Sequence, residues 1–547
     1  SKTFPYYLAR RDAEDPDYIY LIPQSEESIW SVSTGWDKNR KVYMEFGIDY
    51  NRTFGLHKTT ALILYNQSKY YSPSLQYYVP NAYQGLVGRL TYEYASRYLA
   101  EFNMGYNGTE NFAKGKRFGF FPAVSLGWVI SEEKFFPKNN IVKYLKVRGS
   151  YGEVGNDQIG GDRFLYLPSS YGAASDSGVN KYNFGLASNP YTSLMIVENK
   201  IGNPDLTWEK AKKMNVGVDI NLFNNCLTAS FDIFKEKRNN ILANRSTSPM
   251  IIGANLPAYN FGEMENRGWE MDLNFRHHIQ DFHYWARFNY SFARNEIIYM
   301  DEVQKRYDYQ MTTGRRKNQF FGLIFDGYYN SWEEINALDR PKSSWSGNQL
   351  QPGDVKYVDV NQDGVIDDYD MVPIGYTPVP EIIYGFSFGA QYKGFDFSIL
   401  FQGADNVSIK YFGRSMWPFA KGEESAKSLI KERWTQERYE AGEKITFPRL
   451  SLNPNGETDH NYRPSTLWIR DASYLRLKNL EVGYTFTGGF VKRLNLNSVR
   501  LYFNGSNLFT WTDVVDLDPE APSRSGNVEI NTYPLQKVYN IGLNINF

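Results

Sequence analysis

Cysteine is all but missing from this chain: Cys226 is the single one among 547 residues. One thiol excludes an internal disulfide and any cysteine-rich metal site. Long apolar runs are missing too, since no segment approaches the ~18 consecutive apolar residues of a membrane-crossing helix. Neither sign of charge is in surplus. The 60 Lys and Arg against 61 Asp and Glu leave a formal charge of −1, so there is no electrostatic case for a nucleic-acid partner. Histidine is scarce and scattered: His57, His277, His278, His283 and His460. His-Glu-x-x-His, Gly-x-Ser-x-Gly and Walker-type loops are absent, and no acid–base–nucleophile set can be assembled, so the chain reads as non-enzymatic. It begins Ser1-Lys-Thr-Phe-Pro5 without a signal peptide. An exported protein needs one, so the sequence reads as a mature or trimmed chain.

What is present in quantity is aromatic. Tyr 43, Phe 36 and Trp 12 make up 17% of the chain. Rings with an apolar body and a polar tip suit a membrane–water interface. They also alternate. In the last stretch, Tyr539, Ile541, Leu543, Ile545 and Phe547 fall on one face of a strand, and Asn540, Gly542, Asn544 and Asn546 on the other. The pattern recurs through most of the chain. Segments near 42–52, 58–70, 84–94, 97–107, 118–130 and 142–153 have strand composition. Met214 to Leu222, Leu227 to Ile233, Trp269 to Phe275, Tyr284 to Phe292, Tyr384 to Tyr392, Phe395 to Phe401, Leu480 to Phe486 and Val499 to Phe503 alternate apolar with polar. These lengths are near the 9–11 residues a tilted membrane strand needs.

The links between strands carry as much information as the strands. Short ones (about 223–226, 276–282, 393–394 and 487–498) alternate with long ones near 154–207, 239–263, 300–382, 404–472 and 512–534. Barrels of the outer membrane have short periplasmic turns and long extracellular loops, so the long links are expected outside and the C-terminus in the periplasm. In hydrocarbon an unpaired strand edge is costly, so the sheet is expected to close. The fold class expected is therefore all-β, a transmembrane antiparallel β-barrel over 42–547. About 15 strands are counted from Val42, or 16 with residues 1–41, where Tyr6-Tyr7-Leu8 and Ile29 to Val32 look like strand fragments.

One motif carries chemistry. Asp359, Asn361, Asp363, Val365, Asp367 and Asp370 sit at positions 1, 3, 5, 7, 9 and 12 of an EF-hand-type loop, with Gly364 at position 6. Hard oxygen ligands at that spacing, with glycine for the sharp turn and the Val365 carbonyl as a ligand, point to Ca2+. Position 12 is Asp where Glu is usual. An acidic surface turn without metal is the competing reading. His277, His278 and His283 gather near one short turn, where a solvated turn outweighs a metal site. Trp332, Trp345 and Trp417 lie in long links, as sugar-stacking platforms, loop packing or partner contacts. Glu423 to Glu437, with Ala426, Leu429, Ile430 and Trp434 on one face, reads as an amphipathic helix in the 404–472 link.

Several stretches together resemble a known family. They are Phe118-Gly-Phe-Phe-Pro-Ala-Val-Ser-Leu-Gly-Trp128, Leu145-Lys-Val-Arg-Gly-Ser-Tyr-Gly152, Asn203-Pro-Asp-Leu-Thr-Trp-Glu209 leading into Asn215-Val-Gly-Val-Asp219, and Asn260-Phe-Gly-Glu-Met-Glu-Asn-Arg-Gly-Trp-Glu270. Gly353-Asp354 through the acidic loop to Ile374-Gly375, Asp471-Ala-Ser-Tyr-Leu-Arg-Leu-Lys-Asn-Leu480, Asn504-Gly-Ser-Asn-Leu-Phe509 and the terminal Phe547 complete the set. The chain resembles the SusC/RagA-type TonB-dependent transporters of Bacteroidetes. That resemblance implies a barrel of about 22 strands plugged from within, a SusD-like surface lipoprotein as lid, and a TonB complex that drives uptake of oligosaccharides or oligopeptides across the outer membrane. The plug domain, the TonB-contacting segment and roughly the first six strands of the family pattern have no counterpart in this sequence. It is thus expected to be a C-terminal barrel portion or one piece of a split transporter. A passive 16-stranded porin is the main alternative. An outer-membrane enzyme and a soluble adhesin are the remoter ones.

Overall fold

A computed structural model of the chain describes residues 7–11, 19–23, 38–75, 78–158, 163–173, 181–186, 191–194, 196–247, 256–345, 350–411, 417–419, 428–451, 459–515, 517–520, 527–528 and 535–547. The chain divides into two compact units, Ser1–Met44 with Ser68–Ala82, and Glu45–Gln67 with Tyr83–Phe547. In the first, Tyr7–Arg11 and Ile19–Pro23 form a small antiparallel hairpin. The fragment expected at Ile29 to Val32 lies outside the described residues.

Strands of the principal sheet follow the alternating segments. They are β1 (Arg40–Phe54), β2 (His57–Tyr71), β3 (Asn81–Tyr94), β4 (Tyr98–Thr109), β5 (Phe118–Val129), β6 (Val142–Asn156), β7 (Glu209–Leu222), β8 (Leu227–Ala243), β9 (Tyr259–Ile279), β10 (Phe282–Tyr299), β11 (Ile382–Tyr392), β12 (Phe395–Asp405), β13 (Tyr474–Phe486), β14 (Ser498–Thr512) and β15 (Val538–Asn546). They form one 15-stranded sheet in which every strand neighbours the next in sequence. Sequential order with short turns needs no crossover, which is why local alternation alone builds so large a sheet.

Register puts like with like. Val216 faces Ile233 and Val218 faces Phe231 across β7 and β8, while Gly217 faces Asp232 and Asp219 faces Ser230. Across β11 and β12, Phe386 faces Phe401 and Phe388 faces Ile399. The apolar face is not a dry core. Ile48 is 62% exposed, Val216 59% and Ile541 81%, an apolar expanse that water does not tolerate at this size. A soluble sandwich buries that face against a second sheet, and the adhesin reading falls on this point. Among the described residues the largest buried apolar cluster lies in the long links instead, around Leu323, Val355, Phe447 and Trp468.

The turns explain the register. Phe223, Asn224 and Asn225 have φ of 53°, 56° and 68°, and Lys393 and Gly394 have φ of 44° and 88°. Asn and Gly tolerate that left-handed region, which tight hairpins require. Links 55–56, 95–97, 130–141, 223–226, 280–281, 393–394 and 487–497 alternate with 72–80, 110–117, 157–208, 244–258, 300–381, 406–473 and 513–537. The expected loop at 239–263 shrinks to 244–258 because β8 and β9 run on past their apolar stretches. There Lys235 pairs with Glu265 and Lys237 with Glu263, each at 2.9 Å, so charge ladders carry the sheet beyond the alternating segment. The single helix expected over Glu423 to Glu437 is a misreading where the structure describes it. A 3-10 turn at Ser428–Glu432 breaks at Trp434, and a one-turn helix, α1 (Gln436–Glu440), starts from a Thr435 cap. Trp434 leaves the helix to fill the loop core.

Candidate functional site

The polar face of the sheet is organised by two constructions of the same kind. Arg148 on β6 reaches across β7 to β8, where its guanidinium takes both oxygens of Asp232 at 2.6 Å. On the way Nε donates to Asp219 at 3.1 Å. The residue it crosses is Gly217, paired to Arg148 on one side and to Asp232 on the other. A Cβ at 217 would sit 2.7 Å from the Arg148 guanidinium carbon and 2.6 Å from an Asp232 oxygen, so any larger residue must push the bridge aside. Arg500 on β14 does the same over Gly483 on β13. It pairs with Asp396 on β12 and with Glu481 at 2.6 Å, and a Cβ at 483 would meet Arg500 and Asp396 at 2.7 Å each. Each bridge locks three strands with charge-assisted bonds.

Beside the first bridge lies a hollow of about 380 Å³, lined by Lys58, Glu93, Glu101, Lys146, Leu99 and Leu126 among others. Both signs of charge line it, alongside apolar side chains. On the polar face, Asp219 and Asp232 belong to the Arg148 bridge. Ser291 donates to Glu270 at 3.2 Å, and Asp272 faces Ser230 and Asn289 across the strands.

At the long-link end, links 300–381, 406–473 and 513–537 fold on one another. Leu323, Tyr357, Val407, Trp434, Phe447, Tyr462, Trp468 and Val514 form their common core. Asp354 is buried inside it, paired with Arg449 at 2.6 Å and bound by Asn461 at 2.8 Å. His460 Nε2 lies 2.8 Å from the Val355 carbonyl and Nδ1 2.9 Å from Ser343 Oγ. Burial pushes the His460 pKa down, against the opposing pull of that carbonyl and of Asp354 and Asp459. Glu381, at the foot of link 300–381, is buried, which alone would raise its pKa. Arg294 and Arg316 outweigh that and hold its carboxyl ionised.

The six predicted calcium ligands lie on one loop of link 300–381. Gly364 has φ of 82°, the left-handed turn position 6 demands. The oxygens bond to loop amides: Asp359 to Gln362 and Gly364 at 2.7 and 2.8 Å, Asp363 to Val365 at 3.0 Å. Asp370 is fully buried and accepts from Val360 at 2.8 Å and from Asp367 at 2.9 Å. Burial raises its pKa, and the nearby Asp359 carboxylate adds to that. Among the described residues no three His, Cys, Asp or Glu side chains converge as they would around an ion. The donor chemistry fits calcium, in a loop whose oxygens are turned to its own amides.

His278 and His283 face each other across β9 and β10, with ring centroids 5.5 Å apart, and Cys226 Sγ lies 3.5 Å from His277 Nδ1. Of the loop tryptophans, Trp345 is covered by the Arg463 guanidinium at 4.1 Å and Trp417 packs on Tyr462. Trp332 is exposed. The glycine-crossed bridges were missed by sequence reasoning, although an isolated Gly inside a strand was the available signal.

Comparison with known proteins places these features. The family described as "TonB dependent receptor-like, beta-barrel" matches residues 3–508. TonB-dependent receptor P3 of Formosa agariphila is 28% identical over 479 residues, 84% of this chain and 45% of that protein. TonB-dependent receptor SusC of Bacteroides thetaiotaomicron is 28% identical over 477 residues, 86% and 44% of the two chains. The chain thus spans about half the length of the curated relatives it matches. The RagAB peptide importer in its open-open state superposes with a TM-score of 0.70 at 21% identity, over 93% of this chain and 55% of that one, which is a shared fold.

Proposed function

The chain belongs to the TonB dependent receptor-like β-barrel family, and on that premise we propose that it is the barrel portion of an outer-membrane importer of SusC type. Its family is one of transporters and receptors of the outer membrane. The observation that carries the reading is the two-faced sheet, apolar and exposed on one side and charged on the other, in a chain that the family matches over nearly its whole length. In this reading the apolar face meets lipid and the polar face lines a hydrated path. The long links 157–208, 244–258, 300–381, 406–473 and 513–537 stand outside the cell, and the short ones and the C-terminus face the periplasm. β1 and β15 each have one strand neighbour in the sheet, so in the whole protein their free edges are paired, because hydrocarbon leaves no unpaired backbone unpunished.

The cargo is a nutrient oligomer, an oligosaccharide or an oligopeptide. A SusD-like lipoprotein covers the folded long links, and a TonB complex, acting through a plug within the barrel, supplies the drive. Uptake of a labelled oligomer mixture by cells with and without the gene tests this. The reading expects uptake that depends on the gene and collapses when an uncoupler dissipates the proton gradient. Uptake or bilayer conductance that persists without energy would instead establish a passive pore.

The loop Asp359 to Asp370 is proposed to bind Ca2+ through Asp359, Asn361, Asp363, the Val365 carbonyl, Asp367 and Asp370, stapling link 300–381. Supporting it are the donor spacing and a buried Asp370 that no cation is paired with among the described residues. A raised carboxyl pKa means that the ionised form weakens the fold as pH rises through that value, and a divalent cation would offset this. Calorimetric titration of chelator-treated protein is expected to show one calcium site, weakened by Asp363→Ala. Silence up to millimolar calcium would remove the proposal.

A further inference from the structure

On the apolar face of the sheet the last lipid-facing row on the long-link side runs Val216, Ile233, Trp269, Phe292, residue opposite residue across β7 to β10. The next row outward on the same face is Met214, Lys235, Arg267, Arg294, again directly opposite one another. Three cations are therefore stacked across adjacent strands, at a spacing where like charges repel. Two have acidic neighbours: Lys235 pairs with Glu265 at 2.9 Å, and Arg294 with Glu381, which it shares with Arg316. Arg267, at the centre, is exposed and has no carboxylate partner among the described residues. Beyond it the row Lys212, Lys237, Glu265, Glu296 adds two cations and two anions, so cations remain in excess.

The position of this row is as informative as its sign. It lies where the apolar band ends, on strand surface that faces outward and not into the polar lumen. Guanidinium forks there meet the level of lipid headgroups, and the row of Ile233, Trp269 and Phe292 beneath offers acyl chains a continuous apolar wall. Arginine recognises phosphate by paired, charge-assisted bonds, and membrane-adjacent basic clusters recruit anionic lipid.

We propose that Lys235, Arg267 and Arg294 form a binding site for the phosphate of an anionic glycolipid in the outer leaflet, whose acyl chains lie against Ile233, Trp269 and Phe292. The proposal rests on the orientation given above, in which the long links face outward. The site goes beyond import: it fixes the protein's lipid neighbour.

The test uses the protein extracted from its own outer membrane in mild detergent. Native mass spectrometry reads which lipids stay bound, and binding of phosphorylated lipid A is compared with that of enzymatically dephosphorylated lipid A. The expected result is retention of the phosphorylated form, weakened about tenfold by Arg267→Gln and further in the triple Gln variant, in line with the loss of a charge-assisted bond. Arg267→Lys should keep most of the binding, and Lys213→Gln, on the polar face, should leave it unchanged. Equal retention of both lipid A forms, unchanged binding in Arg267→Gln, or displacement by equimolar inorganic phosphate would overturn the site. Retention of a glycerophospholipid instead would place the row at the inner leaflet and overturn it too. Sedimentation of the protein with the outer membrane is scored separately, so failure of the lipid site and failure of the membrane assignment are told apart.

Discussion

Gly217 and Gly483 do their work by what they lack. In each case an arginine lies flat over the missing side chain to reach an aspartate one strand further on. Gly217→Val is expected to push the Arg148 guanidinium off Asp232 and leave that carboxylate short of partners, at a cost of about 1–3 kcal/mol. A fall in the thermal midpoint of the detergent-solubilised protein reads this out, with Gly149→Ala as control, since a Cβ there meets nothing closer than 3.9 Å. An equal fall in both variants would deny the bridge its part. His460 offers a pH test. Its pKa in the fold lies below the ordinary value of about 6.5, so the unfolded chain takes up the proton first. Stability of the loop core therefore drops as pH falls below about 6.5 and is intact above it. Hydrogen exchange of Trp468 and Tyr357 amides should quicken from pH 7.5 to 5.5, and much less so in His460→Gln.

Strands were legible where one face is apolar and the other polar, because a period of two needs no tertiary knowledge. Val216 to Leu222 and Phe386 to Tyr392 fall where alternation puts them. Extensions such as Lys235 to Asn240 and Glu263 to Arg267 were not legible, since there charged and amide side chains dominate both faces and the sheet continues on cross-strand ion pairs. The long links were illegible as structure for a different reason. Their core joins residues as far apart as Leu323 and Val514, and single-segment patterns carry no trace of such contacts. The Glu423 to Glu437 helix failed on the same ground: Trp434 is held by the core, with Nε1 donating to Asn330 at 3.1 Å. The ligand spacing of Asp359 to Asp370 was readable, but not that its oxygens turn to their own amides. Face assignment makes a prediction at this scale. Phe397→Lys, on the apolar face, should cost about 2–4 kcal/mol near mid-bilayer and Ser398→Lys far less. Folding titrations into lipid vesicles measure the difference, and equal costs would refute the assignment.

For the molecule as a whole, a sheet of this extent with one oily and one wet face has a single stable setting, lipid on one side and an aqueous path on the other. The family, the sequential strand order and the alternation of link lengths agree on it. In the proposed reading the folded long links stand together on the outer side of the sheet. The most direct test is thiol accessibility along β11 in intact cells, after Cys226→Ser removes the native thiol. Cysteines placed at Ser387 and Gln391 should react with a small membrane-impermeant maleimide, and those at Phe386, Phe388 and Ala390 should not. Uniform labelling, or labelling with the opposite phase, would contradict a lipid-facing apolar wall around a hydrated import path.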